Sequence, residues 1–257
     1  MGLWSKVKKV AKKVVSGVKT VLNVLGEIAR RLIGLPSFVW DMIIPWPRKR
    51  LRVRVLILTN EDGTSLDATR DLEQEASDAY SLAKTILKNS ANVKMTTYGT
   101  LPRVEILDDH PPRKALEPRC GWGGFKDIFG EAGWFYTKNK QYGISTLFLG
   151  NGAPITVFIV RDVLGGKQGC SNGAVADYVT VDLDGLQVAS GDDVGPATAP
   201  STTMTHELAH ACGLNYMLFR EHSKKKTNLM YPDNTRGTKL NKLQRATLRN
   251  SRFVTYL

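Results

Sequence analysis

The chain has 257 residues and a formal net charge of +12, from 36 Lys or Arg against 24 Asp or Glu. That length leaves room for one domain of roughly 200 residues plus an extension. The charge is concentrated in residues 1–54, with thirteen basic residues and two acids, while residues 55–257 are nearly balanced; this describes a cationic arm on a neutral domain and excludes a uniformly basic nucleic-acid binder.

Residues 1–34 are predicted to form a cationic amphipathic helix. Trp4, Ala11, Val18, Leu25 and Leu32 recur every seven positions, interleaved with Val7, Val14, Val21 and Ile28. Lys6, Lys9, Lys12, Lys13, Lys19 and Arg30 fall opposite them. The wide apolar face with Trp at one end fits an anionic membrane surface, contacted through residues 1–33. A partner-helix seam also fits the repeat, although Gly17 and the valines would make it weak. A nucleic-acid partner is not expected, because phosphate contact needs no apolar stripe. Glu27, Arg30, Arg31 and Asp41 interrupt every window of about 20 residues, so the segment is no transmembrane span. It also lacks a signal-peptide pattern, and Lys6 breaks the myristoylation pattern that begins at Gly2.

Residues 35–50, with Pro36, Pro45, Pro47 and the run Arg48-Lys49-Arg50, read as a linker. A domain over residues 51–257 is then expected. Leu51–Thr59 reads as a strand entering a core, Ser65–Lys88 as a long helix through Leu72, Ala76, Ala79, Tyr80, Ala83 and Leu87, and Asn92–Tyr98 and Arg103–Leu107 as strands. Residues 110–140 fit no regular element; their Trp122, Phe125, Phe129, Trp134, Phe135 and Tyr136 suit either a lid over a substrate or packing under a loop. Ile155–Val160 and Asp177–Leu183 are apolar strands, and Leu240–Phe253 has the spacing of a terminal helix. Cys120, Cys170 and Cys212 allow at most one disulfide within the chain, and Cys212 is equally suited to a core position.

Residues 205–232 carry the chemistry. His206 and His210 stand four apart, on one face of a helix supported by Met204, Leu208, Ala209 and Ala211 and stopped by Gly213. Both imidazoles can therefore point at one ion, and Glu207 is placed beside it as a general base. Three of the four histidines lie here: His206, His210 and His222.

The segment resembles the metzincin zinc metallopeptidases, whose pattern HExxHxxGxxH is followed by a methionine turn. Gly213 occupies the pattern's glycine, and Asn228, Leu229, Met230, Tyr231 and Pro232 resemble the turn, closest to that of the matrixin branch. The pattern's third histidine would fall at Tyr216, so the third ligand is displaced or missing. His222 is the leading replacement, with Tyr216, Glu221 and Asp233 as alternatives. An inactive relative lacking that ligand is a further reading.

The resemblance implies an α+β catalytic domain: a twisted mixed sheet, a long helix, the HExxH helix, the methionine turn with Met230 beneath the metal, and a C-terminal helix. It also implies one catalytic zinc, a protein or peptide substrate aligned on a strand edge at Ile155–Val160 or its neighbour, and endopeptidase activity. Asp182, Asp184, Asp192 and Asp193 could bind calcium, as matrixin loops do, or form a solvated acidic loop. Pro118-Arg119-Cys120-Gly121 looks like the start of a matrixin cysteine switch but lacks the following Pro-Asp. The expected location is secreted or exported without a recognisable signal peptide, with membrane association through the arm. The competing function class is a membrane-active protein whose arm is the main functional element.

Overall fold

The computed structural model describes residues 35–97, 99–120, 130–140, 152–173, 176–187, 200–214, 222–233 and 235–256. The amphipathic arm lies outside them, as do Tyr216, Glu221, Asp192, Asp193, Trp122, Phe125 and Phe129.

A mixed sheet forms the centre. Strand β1 (Lys49–Ile57) runs through the middle and changes partners along its length. Its first half pairs in parallel with β2 (Val93–Thr96) and antiparallel with β7 (Val254–Thr255), in the register Lys49↔Val93 and Leu51↔Val254. Its second half pairs in parallel with β3 (Val104–Ile106) and with β4 (Ile155–Val160), in the register Val55↔Val104 and Val55↔Val157. Strand β6 (Tyr178–Asp182) lies parallel to β4, and β5 (Gly169–Ser171) closes that side antiparallel to β6.

Both faces of the sheet are covered, and period-two alternation assigns each side chain to one of them. Val55, Ile57, Val157 and Ile159 face a core shared with Ala76, Ala79, Tyr80, Ala83 and Leu87 of helix α2 (Leu72–Ala91) and with Met204 and Leu208 of α5 (Thr203–Ala211). Leu56, Leu58, Phe158 and Val160 face a second core with Leu116, Phe135 and Tyr136, which lie on α3 (Arg113–Leu116) and α4 (Glu131–Asn139). In the described part of 110–140, the loop reading therefore gives way to two short helices packed on the sheet. The Tyr136 ring lies 4.7 Å from Phe158 and 4.9 Å from Tyr178, and its hydroxyl donates to Ala115 O at 2.6 Å. Tyr136 thus belongs to the core, not to a lid.

Helix α2 starts seven residues later than its apolar spacing suggests. Asp67 accepts from Thr69 N at 2.9 Å and holds a turn, and Asp71 then caps the helix by accepting from Gln74 N at 3.1 Å. Asn92, with φ of 52°, ends it. Helix α6 (Lys242–Arg249) is shorter than 240–253, because Asn241 and Gln244 form a reciprocal capping box at its start. The chain then turns into β7.

The linker expected at 35–50 is replaced by helix α1 (Leu35–Ile43), packed against α6 and leading directly into β1. The cause is electrostatic. Asp41, fully buried, accepts from Lys49 Nζ at 2.9 Å, Arg249 Nε at 2.7 Å and Asn250 Nδ2 at 2.9 Å. Arg249 also donates to the carbonyl oxygens of Pro47, Ala91 and Asn92. A buried carboxylate must be compensated, and here two cations and an amide do so. The packed domain therefore includes residues 35–50 as well as the part expected from residue 51.

Candidate metal centre

Helix α5 carries the HExxH residues inside the first core, between α2 and the strands β5 and β6. Every residue from Thr203 to Ala211 is buried. The helix ends where Gly213 adopts φ of 96°, with Gly213 N donating to His210 O and Leu214 N to Ala209 O. That left-handed step turns the chain back so that Leu214 O faces His210 Nδ1 at 2.6 Å. His206 Nδ1 faces Leu229 O, in the turn before Met230, at 2.8 Å.

These two contacts set the tautomers. A carbonyl only accepts, so each Nδ1 carries the proton and each Nε2 keeps its lone pair. The two Nε2 atoms then face one another at 3.0 Å. Two lone pairs at that separation repel, and a cation between them removes the repulsion. Tetrahedral ligands with metal–nitrogen bonds of 2.0–2.1 Å lie about 3.3 Å apart, close to the spacing found. His222 supplies a third ring, stacked on His206 at 5.3 Å between centroids and edge-on to His210 at 5.2 Å. The three imidazoles offer ligand atoms all within 4.8 Å of one another, and they are the one such group among the described residues. The residues present fit a divalent ion with nitrogen preference. Burial is the main cause that pulls His206 well below its ordinary pKa and His210 down to about 3, so both rings stay neutral, as ligation requires.

Glu207, beside His206, is buried against the edge strand. A Cβ on Gly169 of β5 would lie 2.7 Å from Glu207 Cγ and 3.0 Å from its Oε1, so only glycine allows this approach. Arg236 is buried on the same side: its Nε donates to Asp233 O at 2.9 Å, and its Nη1 reaches Thr203 Oγ1, one turn before Glu207, at 3.5 Å. Burial lowers the Arg236 pKa, and the charges of Glu207 and Asp233 oppose that shift. Neither Gly169 nor Arg236 has a local signal in the sequence: one sits in a glycine-rich stretch, the other in a basic one.

Met230 is buried and held by its N–H donating to Asn228 Oδ1 at 2.8 Å, while Ser223 N donates to Met230 O at 2.7 Å. The turn is thereby tied to the residue after His222. Asn228 in turn hydrogen-bonds Gln244 of α6.

Several expected residues lie elsewhere. Asp233 is described but stands outside the histidine group, and its Oδ1 accepts from Thr235 N at 3.0 Å. Burial pushes the Asp182 carboxyl up to about 6, and its Oδ1 accepts from Gly185 N at 2.8 Å; Asp192 and Asp193 lie outside the described residues. Cys120 bonds to Cys170, with Cα atoms 5.6 Å apart, so a zinc-blocking thiol at Cys120 is overturned; Cys212 stands outside that disulfide, buried in the core. The substrate edge expected at Ile155–Val160 or its neighbour is corrected as well, because β4 pairs on both sides, with β1 and β6, which are themselves paired on both sides; the edge lies one strand further, at β5.

No protein-family model matches this chain, and no curated protein matches it in sequence. Among solved structures, metalloproteinase-II from Bacteroides fragilis aligns over 74% of this chain and 49% of its own, with 11% identity and a TM-score of 0.40. A chain titled as part of a chaperone–substrate complex aligns over 78% of this chain and 35% of its own, with 12% identity and a TM-score of 0.42. The chain thus spans about half the length of the first and about a third of the second. Likeness at this level is one of general shape.

Proposed function

We propose that the protein is a zinc-dependent endopeptidase of the metzincin type, with the matrixin likeness confined to the run Leu229-Met230-Tyr231-Pro232. The observation that carries this reading is the convergence of His206, His210 and His222 next to a buried Glu207. In it His206, His210 and His222 hold the ion, each of the first two locked by a backbone carbonyl on its other nitrogen. Bound there, zinc would polarise a peptide carbonyl and make water more acidic. Glu207 takes the proton from the attacking water and returns it to the leaving amine. Arg236 steadies the charge of Glu207, and Gly169 lets strand β5 close over that side chain. The main chain of β5 aligns an extended peptide beside α5. Met230 forms an apolar floor and takes no part in ligation. The disulfide supports an exported protein, because such bonds persist in oxidising compartments. Among the described residues, no helix is long and apolar enough to cross a membrane.

Metal analysis and a peptide-library digest, run on the full chain and on Glu207→Gln, test the reading. The expected result is one zinc in both and chelator-sensitive internal cleavage by the unmodified chain, with Glu207→Gln slower by roughly 10²–10⁴-fold. Stoichiometric zinc with no chelator-sensitive cleavage would make the protein a catalytically impaired relative.

A further inference from the structure

Helix α1 is inverted relative to an ordinary surface helix. Its carboxylate, Asp41, points inward, and Ser37 on the same side donates to Asn250 Oδ1 at 2.6 Å. Three of its large apolar side chains, Val39, Trp40 and Ile43, point outward. Ile43 is 69% exposed and Trp46, just past the helix, 65%, while Val39, Trp40 and Ile44 are about half exposed. Of nine large hydrophobic side chains exposed in the described residues, these five come from positions 39–46, so the exposure is one patch and not scatter. The helix cannot roll to hide them. Rolling would break the bonds from Asp41 to Lys49, Arg249 and Asn250 and leave buried charges unpaired. Trp40 Nε1 also donates to Trp46 O at 2.8 Å, which fixes the first indole beside the turn that carries the second.

The surroundings of the patch choose its occupant. Arg48 and Arg50 follow it, both exposed, and residues 1–34 before it hold eight Lys or Arg and one acid. Two copies of this chain meeting through the patch would bring those like charges together. An anionic bilayer answers both features: acyl chains take the Ile and Val side chains, indoles favour the headgroup boundary, and acidic headgroups meet the basic residues.

We propose that residues 39–46 form a docking surface for an anionic lipid bilayer, which seats the folded domain itself on the membrane through α1. The proposal is independent of the peptidase reading and does not depend on the structure of the arm.

The test uses the full chain with vesicles of phosphatidylcholine, with and without phosphatidylserine. In the double variant Ile43→Ser, Trp46→Ser, partition onto the acidic vesicles should fall by at least about tenfold, with an unchanged thermal midpoint. In a second variant, with Phe at positions 4, 40, 122 and 134, Trp46 is the sole tryptophan. Its emission should shift blue and be quenched by lipid brominated on the acyl chain. Unchanged partition of the double variant, or an unquenched Trp46 on bound protein, would overturn the proposal and assign binding to the arm alone. Concentration-dependent dimerisation that the double variant abolishes would overturn it in favour of a second copy.

Discussion

Two buried polar clusters hold this molecule together, and they differ in whether their partners close. Around Asp41, each carboxylate oxygen meets a cationic or amide donor, and Arg249 makes three further bonds to carbonyls. Around His206 and His210 the outer nitrogens are satisfied by Leu229 O and Leu214 O, yet the inner ones face each other across 3.0 Å. A closed cluster stabilises a fold; an open one, held equally firmly, is built to receive something. The first joins segments 208 positions apart and the second lies within one short stretch of chain, with contacts 4 and 23 positions apart; what separates them is the chemistry of the donors.

The largest expected effect falls on the closed cluster. Asp41→Ala should cost about 3–5 kcal/mol in urea unfolding, because Arg249 and Lys49 are left buried without their counter-charge. A cost under about 1 kcal/mol would show that the cluster is not closed in solution. Next comes Gly169→Ala, whose methyl would press on Glu207. Overpacking of this kind costs about 1–3 kcal/mol, and peptide cleavage should drop with zinc affinity kept, which separates the positioning of Glu207 from ligation. Peptide turnover alongside zinc titration reads the two apart.

Acid should act on the open cluster. The folded values of His206 and His210 both lie below their unfolded values, so below about 6.5, and for His210 down to about 3, the unfolded chain binds more protons. Stability of the metal-free protein, measured with chelator present, is then complete above pH 6.5 and falls as pH drops below it, by up to ~1.4 kcal/mol per pH unit for each ring. Stability that is flat over that window would mean that the rings are not buried without metal. The smallest effect belongs to the exposed face of α1, where Ile43→Ser should change stability by no more than about 0.5 kcal/mol.

What could be read in the sequence follows the same division between local and distant interactions. Helix spacing puts His206 and His210 on one face, and a run of β-branched and apolar residues identifies Ile155–Val160 as a strand, since both depend on neighbours a few positions away. In residues 35–50 the prolines and the basic run are local features of a linker, whereas the bond that packs them joins Asp41 to Arg249 across 208 positions. The same limit hid Gly169 and Arg236. Their roles exist only where β5 and the segment after Met230 come beside α5. Three cysteines left the pairing open until β5 brought Cys170 to Cys120. Helix α4 escaped notice because Gly133 sits inside a nine-residue element with weak periodicity.

The most direct test of the histidine centre is calorimetric titration of zinc into the metal-free full chain, compared across His222→Ala and Tyr216→Phe. One site is expected in the unmodified chain, with affinity retained in Tyr216→Phe and weakened by at least about 100-fold in His222→Ala, as for the loss of a ligand. Equal zinc affinity in His222→Ala and the unmodified chain would contradict the three-histidine centre.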